Sequence, residues 1–190
     1  MRRLVVTLVT ALLALGTVAS VASATHSNGE GPDKDFTNGT TKGTTATPFG
    51  TFPSMGHINA TTDPQSPLCA NNGTCGNFSL KLFTPPSVSN PTGEVDASGD
   101  VTCLNAINHQ SVFGAVITSH TGDFFLFPSG SLVGFRILAR NIDNGEGAND
   151  PPDQSGGTLV PPGPAFTVCP FIPFPTTPQP QGNVTVHDGI

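Results

Sequence analysis

The side chains best placed for chemistry in this sequence lie in one glycine-rich loop, residues 143–153. This loop carries four carboxylates together with the amides of Asn144 and Asn149. Hard cations such as Ca²⁺ take roughly six to eight oxygen ligands, which the loop and its carbonyl groups are able to supply. The pattern therefore predicts a calcium site, and Ca²⁺ is the only cofactor it suggests. The predicted ligands are Asp143, Glu146, Asp150 and Asp153.

The spacing of this loop differs from that of an EF-hand, since Gly147 occupies the fifth position and no Glu occupies the twelfth. The interpretation that we prefer to calcium is a solvated acidic turn in which Asn144 and Gly145 provide the backbone geometry. If calcium binds, addition of millimolar Ca²⁺ is expected to raise the melting temperature.

No signature of an enzyme accompanies the loop. The sequence has no Gly-x-Ser-x-Gly, no His-Glu-x-x-His and no phosphate-binding glycine loop, and we assign no catalytic residue. Its histidines are dispersed, so a metal site at His57, His120 and His187 depends entirely on the fold. A hydrolase without a local motif remains an alternative, and it requires buried polar residues to meet a Ser or His in a cleft.

The four cysteines, Cys69, Cys75, Cys103 and Cys169, permit three disulfide connectivities. We expect the pairs Cys69–Cys75 and Cys103–Cys169, because the first closes a tight loop and the second ties the centre of the chain to its proline-rich end. On the chain-entropy model these bonds contribute about 2 and about 4 kcal/mol. A zinc site is the rival interpretation, but the sequence contains no Cys-x-x-Cys pair.

The amino terminus predicts export. Arg2 and Arg3 precede an apolar run, and Ala22-Ser23-Ala24 has the small residues of a cleavage site, so residues 1–24 are interpreted as a signal peptide. Without it the chain has five basic and thirteen acidic residues, a net charge of −8. This charge argues against nucleic acid as a partner. We expect a secreted protein with no membrane span, and an extracellular partner or a small ligand.

The amino-terminal part of the mature chain has little apolar character. Residues 25–67 are rich in Thr, Gly, Pro and Asn and are predicted to form a flexible leader, within which Met55–Ala60 is the best candidate for a short first strand. Residues 76–83 alternate apolar and polar side chains, which is typical of a half-buried strand. A single β domain is then predicted at 68–190.

Two hairpins are predicted in the centre of the chain. The first turns at Ser98-Gly99, and the second turns at residues 108–111. The segment Val112–Ile117 is apolar on both faces, which is typical of a strand buried on both sides. Phe124–Phe127 form an apolar cluster, and Val133–Ile142 alternate as another strand.

The carboxyl-terminal part combines an irregular segment with a last strand. Residues 151–180 contain ten prolines and predict an irregular wrap instead of a regular element. Residues 182–188 predict a closing strand with Val184 and Val186 pointing inward.

The centre of the chain contains a Gly-x-Val-x-Cys strand, Gly99–Cys103, followed by an Asp-Asn-Gly loop, Asp143–Gly145, and a further Asp at Asp150. In this pattern it resembles a group of secreted bacterial proteins of unknown function that are common in actinobacteria. The resemblance covers roughly residues 93–188. It implies a compact exported β-rich domain and implies no activity.

These observations predict an all-β fold, a small antiparallel barrel or sandwich with irregular termini. The leading functional hypothesis is a secreted non-enzymatic module that binds or structures something at or beyond the cell surface. The alternative is a barrel that holds a small apolar ligand or calcium. That alternative requires the phenylalanines to converge on a void, and they are Phe113, Phe124, Phe125, Phe127 and Phe135.

Overall fold

A computed structural model of the 190-residue chain describes residues 34–47, 50–62, 73–123, 131–145, 150–172 and 175–188. The described part is all β, as the sequence predicts. Its nine strands are β1 (Phe36–Thr47), β2 (Gly50–Thr62), β3 (Thr74–Phe83), β4 (Glu94–Ile107), β5 (Gln110–Thr121), β6 (Arg136–Ile142), β7 (Gln154–Val160), β8 (Thr177–Pro178) and β9 (Asn183–His187). No helix in these ranges is long and apolar enough to cross a membrane.

The strands form one curled, half-barrel sheet in the order β8-β7-β6-β5-β4-β3-β2-β1-β9. Neighbours in this order pair antiparallel, and the curl brings β1 back to β7, where Ala46 pairs with Gly156 in parallel. We call this junction the β1–β7 seam. The fold is therefore a single sheet wrapped around its own inner face, and of the two predicted architectures it is the barrel-like one.

The inner face of the sheet carries the main hydrophobic core. Alternate residues of each strand point to one face, so residues directly opposite across strand pairs share that face. The core includes Ile58 of β2, Phe78 of β3, Val95 of β4, Ile117 of β5 and Ile137 of β6, all of which are buried. This face defines the space in which the candidate site lies.

A second hydrophobic cluster covers the outer face of β4, β5 and β6. It consists of Val112, Leu138 and the disulfide between Cys103 and Cys169, whose Cα atoms lie 5.4 Å apart. Phe166 packs against it, and Gly114 makes room, because a Cβ atom at Gly114 would lie 2.7 Å from the Cys103 sulfur. The predicted Cys103–Cys169 pair and the two-sided burial of β5 are confirmed.

Arg136 and Asn105 also hold the proline-rich segment against the sheet. The Arg136 guanidinium donates hydrogen bonds to the Pro161 and Pro164 carbonyl oxygens at 3.1 and 2.8 Å and lies over the Phe166 ring. Asn105 donates to the Cys169 carbonyl at 3.2 Å. Residues 161–172 therefore follow an irregular path that is held by specific contacts.

The structure differs from the predicted flexible leader over Phe36–Thr47 and Gly50–Thr62, which form β1 and β2. The threonine-rich β1 has no apolar alternation for a hydrophobic pattern to detect. Threonine is β-branched, however, and favours extended backbone. Every second residue of β1 points inward, and Thr37 and Thr45 are buried. The candidate strand at Met55–Ala60 is confirmed as part of β2.

The predicted hairpin at Ser98-Gly99 is wrong, because β4 runs without interruption through these residues. Gly99 lies at a bulge in the β4–β5 pairing, where an added Cβ would collide with the Val116 carbonyl oxygen. This glycine therefore permits a close backbone approach and does not form a turn. The second predicted hairpin is confirmed, although its loop contains only Asn108 and His109, both at positive φ.

The proline-rich wrap is not irregular throughout, since β7 occupies Gln154–Val160 and pairs with β6. The strands predicted over residues 76–83 and 182–188 are confirmed as β3 and β9, and Val184 and Val186 are buried as expected. Strand β6 begins at Arg136, within the predicted 133–142. The signal peptide and the Phe124–Phe127 cluster lie outside the described residues.

Candidate functional site

A cavity of about 120 Å³ lies inside the curled sheet. Its walls are mostly apolar and come from β1 to β7. The apolar side chains that line it include those of Phe78, Phe113, Ile117, Ile137 and Leu159. The rings of Phe78 and Phe113 lie 6.4 Å apart in a tilted arrangement.

The polar part of the lining is concentrated near the β1–β7 seam. It includes Thr41 and Thr45 on β1, Asn141 on β6 and Ser155 on β7, whereas His57 and Ser79 line the cavity from β2 and β3. Thr45 is already satisfied, because its hydroxyl shares a hydrogen bond of 2.7 Å with that of Ser54. The cavity therefore has a mostly apolar wall on β2 to β5 and a more polar wall at the seam.

Asn141 is the exceptional residue of the polar wall. Its side chain is only 3% exposed, and its Nδ2 atom has no hydrogen-bond partner. Ser111 on β5 and Ser155 on β7 lie directly opposite Asn141 in the two strand pairings. The Ser111 hydroxyl is also buried without a partner. Buried polar groups are nearly always hydrogen-bonded, so the two unpaired polar atoms of Ser111 and Asn141 are unusual inside the sheet.

The phenylalanine prediction can be followed for two of its five residues. Phe113 lines the cavity, and Phe135 packs against the same core cluster. Phe124, Phe125 and Phe127 lie outside the described residues. The sequence analysis did not identify Phe78 or Asn141 as cavity residues. A signal existed for Asn141, because the alternation of Phe135, Ile137 and Ala139 reaches it at the next step.

The acidic loop has a structural role at the edge of the sheet. The Asp153 carboxylate accepts hydrogen bonds from the backbone N–H groups of Asn144 at 3.0 Å and Val184 at 2.6 Å. The Asp143 carboxylate accepts from Gly145 at 2.8 Å and Val186 at 3.1 Å. Strand β9 pairs with β1 through its other edge, so the two carboxylates cap the N–H groups that the pairing leaves free.

The predicted calcium ligands are not brought together within the described residues. No group of three or more His, Cys, Asp or Glu side chains in the described ranges is arranged to hold a metal ion. Both oxygens of Asp143 and of Asp153 already accept backbone hydrogen bonds. Glu146 lies outside the described residues, and the four-residue calcium site stays a prediction. Cys69 also lies outside them, and so does the expected Cys69–Cys75 pair.

A polar depression adjoins the cavity on the sheet beside β2 to β5 and shares His57 and Ser79 with its lining. His57 and His120 both line it, together with Ser79, Ser98 and Ser119. No hydrogen bond joins either histidine to any of these serines in the described structure. His187 does not join them, because it stacks on Phe36 with ring centroids 5.0 Å apart.

Lys81 in the same depression is held by two carboxylates. Its Nζ atom lies 3.5 Å from Asp96 and 3.4 Å from Glu94. These neighbours, Asp96 first and Glu94 second, raise the pKa of the Lys81 ammonium. The cluster is exposed, where such ion pairs add little to stability. The depression is therefore a solvated surface with paired charges.

Comparisons with protein-family models, with curated proteins and with solved structures find no match to this chain. The candidate site is accordingly defined by its own geometry. Its elements are the apolar cavity, the polar wall at the seam and the unpaired Asn141 amide.

Proposed function

We propose that this protein is a secreted, non-enzymatic β module that binds a small apolar ligand inside its curled sheet. The observation that carries the proposal is the cavity of about 120 Å³ with its apolar lining. For comparison, an engineered apolar cavity of roughly 150 Å³ in another protein stays dry and binds benzene or xenon. A ligand near the size of benzene is therefore the appropriate class.

The free energy of binding would come from the apolar walls. Removing apolar surface from water contributes roughly 25 cal/mol per Å². A cavity that is already open in the folded protein requires little rearrangement, so little of this gain is lost to ordering. In the surface depression, no described serine is hydrogen-bonded to His57 or His120, and this supports binding in the cavity over catalysis at the surface.

Export is the second part of the proposal. It is supported by the signal-peptide pattern of residues 1–24, by the Cys103–Cys169 disulfide and by the resemblance to secreted bacterial proteins. Disulfides persist in oxidising compartments, so the bond between Cys103 and Cys169 is consistent with an extracellular location. Recovery of the protein from culture medium with Thr25 as its first residue is the expected result. An intracellular chain that retains Arg2 and Arg3 would contradict export.

The binding proposal is tested by thermal melting of the mature chain with benzene and with toluene. At a ligand concentration of 100 times Kd, binding adds about 2.7 kcal/mol. That corresponds to a rise in Tm of roughly 5–10 °C for a domain of this size. No rise with either probe up to its solubility limit would refute the proposal.

A cavity-filling variant gives the specificity control. Ala139 lines the cavity, and Ala139→Leu places a larger side chain in it. Ala165 is exposed in the irregular segment, so Ala165→Leu adds the same atoms outside the site. We expect the first variant to lose the ligand-dependent rise in Tm and the second to keep it. Equal responses of the two variants would place binding elsewhere.

A further inference from the structure

We propose, on the basis of the proposed function, that the ligand is neutral and carries one hydrogen-bond-accepting oxygen, which the Asn141 side chain binds. The chemical class is a small ketone, aldehyde or ester with an apolar body. The body would lie against Phe78 and Phe113, and the oxygen would accept from Asn141 Nδ2 at the polar wall. A purely apolar cavity would not require a hydrogen-bond acceptor on its ligand, whereas this cavity has a donor for one.

Asn141 is deeply buried. Its amide donor is removed from water, with 3% of the residue exposed, and it makes no hydrogen bond in the described structure. An unsatisfied buried donor destabilises the folded state, because the group has lost its bonds to water. A bound oxygen acceptor removes that cost. The donor is thus available to select a ligand.

Ile137, Ala139 and Asn141 are alternate residues of β6 that share the inner face of the sheet. All three line the cavity, and Asn141 is the last of them. The apolar rings of Phe78 and Phe113 line the same space from β3 and β5. One end of a ligand can therefore remain in apolar surroundings while its other end reaches the amide.

None of the described residues that line the cavity is Asp, Glu, Lys or Arg, and the one histidine among them, His57, is solvent-exposed. A buried carboxylate or ammonium group without a partner of opposite charge is strongly disfavoured. Fatty acids and amines are therefore poor ligands for this cavity, whereas a neutral carbonyl oxygen needs only the single donor that Asn141 offers.

The rival occupant is a buried water molecule. Ser111 and Asn141 face each other across β5 and β6, and both carry an unpaired buried polar atom. Buried waters commonly bridge such atoms. If water satisfies Asn141 permanently, the amide does not distinguish a carbonyl ligand from a hydrocarbon of equal size.

The test compares cyclohexanone with toluene, which have equal numbers of non-hydrogen atoms. Each is titrated into the mature chain, followed by ¹H–¹⁵N NMR including the Asn141 side-chain amide. Affinities are corrected for partition of each probe from water into alkane. We expect cyclohexanone to bind more tightly than toluene on this scale and to shift the Asn141 amide resonance.

Two variants of Asn141 complete the test. Asn141→Leu is expected to weaken cyclohexanone binding about tenfold and to leave toluene binding unchanged or improved. Asn141→Ala should reproduce the selective loss if the leucine variant folds poorly. Asn105→Leu removes a paired amide on another strand and should leave both affinities unchanged.

The outcomes separate this inference from the function on which it rests. If wild type binds neither probe, the cavity function fails and this inference fails with it. If wild type binds both probes equally after correction, and Asn141→Leu shows no selective loss, the ligand class is wrong while the cavity function stands. An Asn141 amide that stays bonded to water in the cyclohexanone complex would also overturn the inference.

Discussion

The acidic loop and the cavity wall both place polar side chains in buried positions, but they treat those side chains in opposite ways. Asp153 is 5% exposed, and each of its carboxylate oxygens accepts a backbone hydrogen bond. Asn141 is as deeply buried, and its Nδ2 has no partner. The two residues lie at opposite ends of the same β6–β7 connection. A buried polar group that is satisfied holds the fold, whereas one that is unsatisfied is available to a ligand.

The loop carboxylates also protect the end of the sheet. An edge strand presents unpaired N–H groups, which proteins usually cover or blunt. Asp143 and Asp153 cover those of β9 by accepting from Val186 and Val184. The acidity that suggested a metal site is therefore used to fix the last strand beside β6 and β7.

The largest expected effect is on the free energy of unfolding, and it comes from removal of the Cys103–Cys169 disulfide, which should leave ligand binding unchanged. Cys103→Ser with Cys169→Ser opens a bond that spans 66 residues, and we expect a loss of about 4 kcal/mol in the free energy of unfolding. Urea unfolding measures this loss. The disulfide lies on the outer face, so the Kd for toluene should be unchanged in conditions where the variant is folded. A loss below about 1 kcal/mol would show that the Cys103–Cys169 disulfide contributes little to the stability of the fold.

The next effect tests the structural role of the acidic loop. Asp153→Ala leaves the N–H groups of Asn144 and Val184 without acceptors, and we expect a loss of roughly 3 kcal/mol. Asp100 is an exposed carboxylate on β4, and Asp100→Ala should change stability by less than about 0.5 kcal/mol. Equal effects of the two substitutions in urea unfolding would contradict the role of Asp153 as a cap.

A smaller effect, of opposite sign, is expected in the cavity wall. Asn141→Leu removes an unsatisfied donor and should raise the free energy of unfolding by about 1 kcal/mol. Asn105→Leu removes an amide that donates to the Cys169 carbonyl, so it should lower stability by about 1 kcal/mol. The same sign and size for both asparagines would erase the distinction between paired and unpaired groups.

The smallest expected effect is that of calcium. The carboxylate oxygens of Asp143 and Asp153 are already engaged by backbone N–H groups, so millimolar Ca²⁺ must compete with those bonds. We expect no rise in the melting temperature beyond that given by Mg²⁺ at equal ionic strength. A saturable, calcium-specific rise in the melting temperature would show that the loop is a metal site. The acidic loop would then be a ligand site and not only a structural one.

The sequence predicted those parts of the fold that depend on apolar alternation. Strands β3, β5 and β9 follow directly from the spacing of their Phe, Val, Ile and Leu residues. The strand β1 did not, because its inward-facing positions are threonines such as Thr37 and Thr45, which carry no hydrophobic pattern. Gly99 was interpreted as a turn because a glycine in a bulge and a glycine in a turn are indistinguishable without the partner strand.

The candidate site was less predictable than the fold. Sequence reasoning emphasised Asp143 and Asp153 because clustered carboxylates are conspicuous in a sequence. Their role depends on the position of the backbone N–H donors of β9, which lie more than thirty residues further along the chain and are not apparent from the loop sequence. The importance of Asn141 lies in the hydrogen bond it does not make, which only the folded structure reveals.

The central claim is that the cavity inside the sheet is apolar, open and able to accept a ligand. Its most direct test is a crystal structure of the mature chain under xenon pressure. The account predicts a xenon atom beside Phe113 and Ala139, which both line the cavity, and its loss in Ala139→Leu. A cavity that takes up no xenon, or that holds ordered water against the phenylalanine rings, would contradict the account.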